Sequence, residues 1–155
     1  MSPLKIDIGV GGRFHADHMT SALIADRHDV NLFTTYPAFR FPTVPKGAVH
    51  SSLLPEAVFR LGGLLGFENA GDRFKIKRFG KQLAEMLSKT RVNSDLFIGW
   101  SSFSKETLKQ RYAKKSALVR DSSHISLQMD LLNDEFRSFG LVISDRTFCV
   151  ERELE

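Results

Sequence analysis

The spacing of apolar positions changes along the chain, and each change marks an element. Lys5 to Val10 (KIDIGV) is short, rich in β-branched residues and set between Pro3 and Gly11-Gly12, which predicts a buried strand. Ala16, Met19, Ala22 and Leu23 then recur at three- and four-residue intervals, the period of a helix with one face inward. Polar Asp26 to Asp29 ends that helix, and Val30 to Thr34 reads as a second strand. Strand, helix and strand in this short span make a βαβ unit, whose crossover is right-handed.

The middle is less regular. Tyr36 to Ser52 carries Pro37, Pro42 and Pro45 and reads as loop. Leu53 to Phe67 is apolar but interrupted by Gly62, Gly63 and Gly66, the pattern of a mobile or surface-lying helix. From Phe74 onward Ile76, Phe79, Leu83, Met86 and Leu87 form a helical stripe, with Lys75, Arg78, Gln82 and Glu85 on the other side. Asp95 to Trp100 reads as a strand. Ser101 to Ser104 offers N-cap hydroxyls, and Leu108 with Tyr112 gives an i,i+4 apolar pair in the next helix. Ala117 to Val119 is another strand, Asp121 to His124 a polar turn, and Met129, Leu132, Phe136 and Phe139 mark a further helix. The alternation predicts an α/β, Rossmann-like three-layer sandwich with a mostly parallel sheet covered on both faces. Ligands of such sheets sit beyond the carboxyl ends of the strands.

Composition narrows the class. The 155 residues suffice for one domain with a sizeable core, here read as residues 1–155. Hydrophobic residues at 42% and charged residues at 26% are ordinary for a globular protein. A net charge of +4 is too small to point to nucleic acid, and no nucleic-acid partner is expected. Cys149 is the single cysteine, so no internal disulfide and no cysteine-based metal cluster can form, which fits a reducing compartment. No run approaches the roughly 18 apolar residues of a spanning helix, and the N-terminus lacks the apolar core of a secretory signal. The expected location is cytoplasmic, or peripheral on the inner face of a membrane.

Candidate chemistry starts at Gly11-Gly12, between the first strand and the first helix. Glycines there let backbone N–H groups approach an anion at a helix N-terminus, and they equally permit a sharp turn. The dinucleotide fingerprint fails, because Phe14 stands where its third glycine belongs and Thr34-Thr35 replace the acidic residue at the end of the second strand. A phosphate-cradling Walker loop and the acidic pair of a receiver domain are absent too. His15 and His18 share a helix face beside Asp17, but two histidines fall short of the three ligands usual for catalytic zinc, and no metal is expected. One of them could instead hydrogen-bond a hydroxylated substrate. Arg120-Asp-Ser-Ser-His124 follows a strand and opens on the same crevice; its guanidinium, hydroxyls and imidazole suit a sugar or sugar phosphate, or else cap the next helix. Finally, Arg73 to Lys81 interleaves basic and aromatic residues, either as a core stripe with a solvated face or as a patch for anionic lipid headgroups, with single-stranded nucleic acid a weaker option.

Three stretches together, GGRFHADHMTSALIADRHDVNLFTTYP, SDLFIGWSSFSKETLKQ and ALVRDSSHISLQMDLLNDEF, resemble the N-terminal domain of retaining GT-B glycosyltransferases of the glycosyltransferase family four type. The shared pieces are the glycine turn followed by Phe14-His15, Tyr36-Pro37 after the second strand, the Trp100 to Phe103 strand exit, and Arg120 to His124 followed by Gln128 and Asp134-Glu135. The resemblance implies an enzyme that moves a sugar from a nucleotide-sugar to an acceptor hydroxyl with retention, the acceptor being a glycan or lipid-linked sugar. It implies that Gly11 and Gly12 approach the donor phosphates and that His124 is the catalytic-site histidine near the transferred sugar. His15, Arg120 and Ser123 lie beside matched positions as substrate-binding candidates. No cofactor or bound divalent metal is implied. It also implies a partner: a C-terminal nucleotide-sugar-binding domain, absent from this chain. The chain is therefore expected to be the acceptor-side half of such an enzyme, inactive alone. A stand-alone α/β binding or interaction module without catalysis is the alternative.

Overall fold

The computed structural model describes residues 2–90, 94–120 and 125–141. The polar turn read over Asp121 to His124, and everything from residue 142 on, lie outside them. Up to Val119 the chain forms one unit, a five-stranded, all-parallel sheet. Its strands are β1 (Lys5–Val10), β2 (Asp29–Thr34), β3 (Val49–Ser51), β4 (Leu96–Trp100) and β5 (Lys115–Val119), in the order β3-β2-β1-β4-β5. The α/β expectation holds in this unit, with helices on both faces of the sheet.

Alternation along the strands builds two cores, because successive side chains point to opposite faces. Ile6, Ile8, Val10, Val30, Leu32, Ile98 and Trp100 face α1 (Ala16–Ala25), which contributes Ala16 with Met19 and Leu23. The proline-rich segment read only as loop also supplies this core, through buried Phe41 and Val44, and contains the three-residue strand β3. The opposite face carries Phe33 and Phe97, covered by Phe79, Leu83 and Leu87 of α3 (Glu68–Thr90) and by Leu108 of α4 (Lys105–Gln110). Tyr112 joins that cluster from beyond the end of α4, which is shorter than the predicted helix. The remaining helix of the unit, α2 (Leu53–Leu64), packs against α3.

Near the amino end of the sheet, fully buried Asp7 accepts hydrogen bonds from Tyr112 Oη (2.6 Å), Asn31 Nδ2 (3.1 Å) and the Ser94 hydroxyl. Three donors from three segments satisfy a carboxylate that burial alone would disfavour. Strand pattern does not single out Asp7, whose partners become visible only in three dimensions.

Helix ends follow local rules. In α1 the Arg27 N–H bonds the carbonyl of Ile24 (2.9 Å) and the His28 N–H that of Leu23 (3.1 Å), with Arg27 left-handed at φ 65°. This is a Schellman ending with a non-glycine residue where glycine is favoured. Arg27→Gly is expected to stabilise the protein by about 0.5–1 kcal/mol, because relief of the left-handed strain exceeds the added chain entropy. Urea denaturation of the two proteins checks it; a lower midpoint for the variant would contradict it.

The second unit begins at Arg120 and includes α5 (Ile125–Ser138). That helix ends in the same fashion, with Gly140 at φ 70° and the Leu141 N–H on Phe136 O (2.9 Å).

Candidate functional site

The strand order creates a switch point. The chain leaves β1 toward β2 on one side and leaves β4 toward β5 on the other, so the two exit loops diverge at the carboxyl ends of adjacent strands. Ligands of open parallel sheets bind at such a divergence. The loops are Gly11 to His15 and Ser101 to Ser104.

Both loops are conformationally special. Four described non-glycine residues have positive φ. Arg27 and Arg111 end helices, where a left-handed residue is ordinary. The other two, Phe14 (φ 40°) and Ser102 (φ 70°), lie one in each exit loop. Left-handed L-residues cost roughly 1–2 kcal/mol each and persist where surrounding structure imposes them.

The glycines have visible steric work. A Cβ on Gly11 would clash with Phe103 Cε1, so the missing side chain lets an aromatic from the β4 exit rest on the β1 exit. A Cβ on Gly12 would lie 2.7 Å from Phe14 Cε2. Their carbonyls are held as well: Thr35 Oγ1 donates to Gly11 O (2.9 Å) and Thr34 Oγ1 to Gly12 O (3.1 Å), both threonines being fully buried. Sequence reading noted these threonines only as not acidic. In the fold they clamp the glycine turn.

Behind Thr35 stands a charged cluster that the sequence reading missed. Thr35 Oγ1 lies 3.4 Å from Glu56 Oε2, and Glu56 pairs with Lys75 Nζ at 2.7 Å and Arg60 Nε at 2.9 Å. Glu56 is 7% and Lys75 8% exposed, whereas Arg60 is largely in solvent. The Lys75 ammonium also sits 4.8 Å from the Phe59 ring centroid and 5.9 Å from that of Tyr36, and Arg60 lies 5.8 Å from Tyr36. Burial pushes the Glu56 carboxyl up, but hydrogen bonds and charge from Lys75 and Arg60 outweigh it and hold the group below the usual carboxylate range. Spacing alone puts Lys75 on the side of its helix away from the apolar stripe. It is buried because α2 lies along α3: Cβ atoms built on Gly62 and Gly71 would meet backbone of the opposite helix at 3.2–3.3 Å.

At the start of α1 the histidines stay outside. His15 precedes the helix as its N-cap residue, exposed and without a side-chain capping bond, and His18 is exposed with Nε2 3.9 Å from Asp17 Oδ1. Asp17 is buried and takes the Arg13 guanidinium at 3.0 Å. Burial raises its pKa, and Arg13 with the His18 amide more than offsets that, leaving it lowered. Arg13, in the exit loop, is thus paired with a carboxylate of the first turn of α1. Among the described residues no group of three or more His, Cys, Asp or Glu could hold a metal ion.

The structure therefore brings Gly11, Gly12 and His15 together on one exit loop, with Thr34, Thr35, Phe103 and the Glu56–Lys75 pair around the glycines. Arg120 directly follows β5 and is half-buried in the second unit. Ser123 and His124 lie outside the described residues. No protein-family model, curated protein or solved structure matches this chain.

Proposed function

We propose that this chain is the acceptor-side half of a retaining GT-B glycosyltransferase, and that the divergence of the β1 and β4 exits is its sugar-phosphate pocket. The observation that carries the reading is the pair of left-handed residues, Phe14 and Ser102, one in each loop at the switch point. Backbone strain of this kind concentrates at ligand sites. Two further features agree. Phe14 leaves about half of its surface exposed beside Gly12, an aromatic face suited to the apolar side of a sugar ring. Lys75 and Arg60 outnumber Glu56 in the adjoining cluster, a positive balance suited to phosphate.

In this proposal a second domain brings the nucleotide-sugar. Departure of the nucleoside diphosphate builds negative charge, which backbone N–H groups at Gly11-Gly12 and nearby cations stabilise electrostatically. The resemblance gives His124 the role of the histidine at the transferred sugar, and His15, Arg120 and Ser123 remain substrate-binding candidates on the same ground. The rival is a non-catalytic module, favoured by the fact that both glycines seat aromatic rings whether or not anything binds.

Sugar transfer from a panel of nucleotide-sugars separates the two, assayed on the 155-residue chain alone and on the same chain fused to a nucleotide-sugar-binding domain of GT-B type. The two-domain protein is expected to turn over and the chain alone to be inactive. His124→Ala in the two-domain protein is expected to lower turnover about a hundredfold with Tm nearly unchanged. Equal loss of activity and folding would mark His124 as a helix cap, and turnover by the isolated chain would refute the half-enzyme reading.

A further inference from the structure

The helix α2 is apolar on the wrong side. Its inner face meets α3 through small residues, Gly62 of α2 lying in close backbone contact range of Gly71 of α3. Its outer face carries Leu53, Leu54, Ala57, Leu61 and Leu64, all exposed. The apolar surface continues through the turn into α3, where Leu64 is 83%, Leu65 70% and Phe67 65% exposed. That turn is a Schellman ending, with Gly66 at φ 77° and the Phe67 N–H on Gly62 O at 2.7 Å, so the apolar tip is presented by a hydrogen-bonded turn. Contiguous exposed apolar surface of this kind marks an interaction site.

Charge identifies the occupant. Between Leu53 and Lys81 there are six lysines and arginines and three acidic residues, an excess of three in a chain whose net charge is +4. Of the six, only Lys75 is buried; Arg60, Arg73, Lys77, Arg78 and Lys81 are exposed. Pairing two copies through this face would set like charges against each other. No described helix is long and apolar enough to cross a membrane, so spanning is not the role of these leucines. A helix with a leucine face and neighbouring cations instead suits the plane of an anionic bilayer, where apolar side chains enter the headgroup–acyl boundary.

We propose that the α2–α3 hairpin docks on an anionic lipid surface, with Leu61, Leu64, Leu65 and Phe67 inserted and the exposed cations of α3 attracting the headgroups. This reassigns the lipid contact expected from residues 73–81: Lys75, Ile76 and Phe79 of that stretch are buried, and the insertion belongs to the preceding turn. The proposal does not depend on sugar transfer.

Vesicle co-sedimentation of the 155-residue protein tests it. Binding is expected to vesicles of phosphatidylcholine mixed with phosphatidylglycerol, to fall with added salt, and to be weak on phosphatidylcholine alone. Leu64→Asp combined with Phe67→Asp should lower partitioning at least about tenfold. Arg78→Ala and Lys81→Ala should each lower it about fivefold. All four positions are exposed, so circular dichroism should be unchanged. Failure to bind anionic vesicles, or binding indifferent to Leu64→Asp/Phe67→Asp, overturns the proposal. So does a lipid-free dimer that the same substitutions disperse, which would assign the face to a second copy.

Discussion

Glu56→Ala is expected to cost about 3–5 kcal/mol, because it strands the Lys75 ammonium in a site that excludes water. Phe59 and Tyr36 rings beside Lys75 cannot replace the lost carboxylate, since cation–π contacts supply about 0.5–2 kcal/mol each. Lys75→Met should cost less, as Glu56 keeps Arg60 at 2.9 Å. The Arg60 contact contributes little by itself, being mostly in solvent. The double variant Glu56→Leu/Lys75→Met should recover most of the stability, because two apolar side chains carry no unmatched charge. Urea denaturation of the four proteins reads these differences. A cost under about 1 kcal/mol for Glu56→Ala would mean that the pair is solvated.

The same pair predicts an acid limb. The folded Glu56 carboxyl lies below its ordinary value, so the unfolded state binds its proton more readily. The stabilisation is therefore complete above the unfolded pKa of about 4.3 and is lost as pH falls through the lower folded value. Asp17, also lowered, adds to the same limb. Stability measured downward from neutrality should drop less steeply in Glu56→Gln than in the unchanged protein.

Gly99→Ala is the second large effect, expected at about 3 kcal/mol or more. The new Cβ would stand 2.5 Å from Ser104 Cβ and 2.8 Å from Phe97 Cε1. A flexible side chain could swing away, but a Cβ is fixed by its own backbone. Ser104 is buried at the start of α4, its hydroxyl bonded to Trp100 O and its carbonyl to the Leu108 N–H, each at 2.9 Å. Relief requires moving α4 off β4, which would also displace Phe103 from its seat on Gly11. Ser104→Gly should rescue much of the loss in the double variant, less about 1 kcal/mol for the deleted hydroxyl bond. Gly47→Ala is the control, since a Cβ there meets nothing within 4 Å. Equal denaturation midpoints for Gly99→Ala and Gly47→Ala would show that β4 and α4 are not in close contact.

Much of the sheet could be read from period alone. The bounds predicted for β1 match those observed, and β2 and β4 begin within one residue of expectation, because β-branched runs between polar or glycine punctuation have few other uses. β3 escaped notice because three residues inside a proline-rich loop carry no period. The leading turns of α3 escaped for a related reason: Glu68 to Arg73 contributes little to the apolar stripe. At the site, the glycine turn was legible as a turn, since a backbone that must bend between strand and helix leaves its mark in residue type. Thr34, Thr35, Glu56 and Lys75 were not, because nothing in their local sequence signals the distant partners Gly12, Gly11 and one another.

The order of apolar and polar residues by itself determined the fold class, the bounds of β1 and the extent of α1, because strand and helix periods and the punctuation between them are set by residues near one another in the chain. Only tertiary structure decided which charges are buried and which leucines are not. Lys75 went inside and Leu64 outside because α2 lies against α3 through glycines, and burial at a helix–helix contact depends on how closely two backbones approach, a distance that no single helix period encodes.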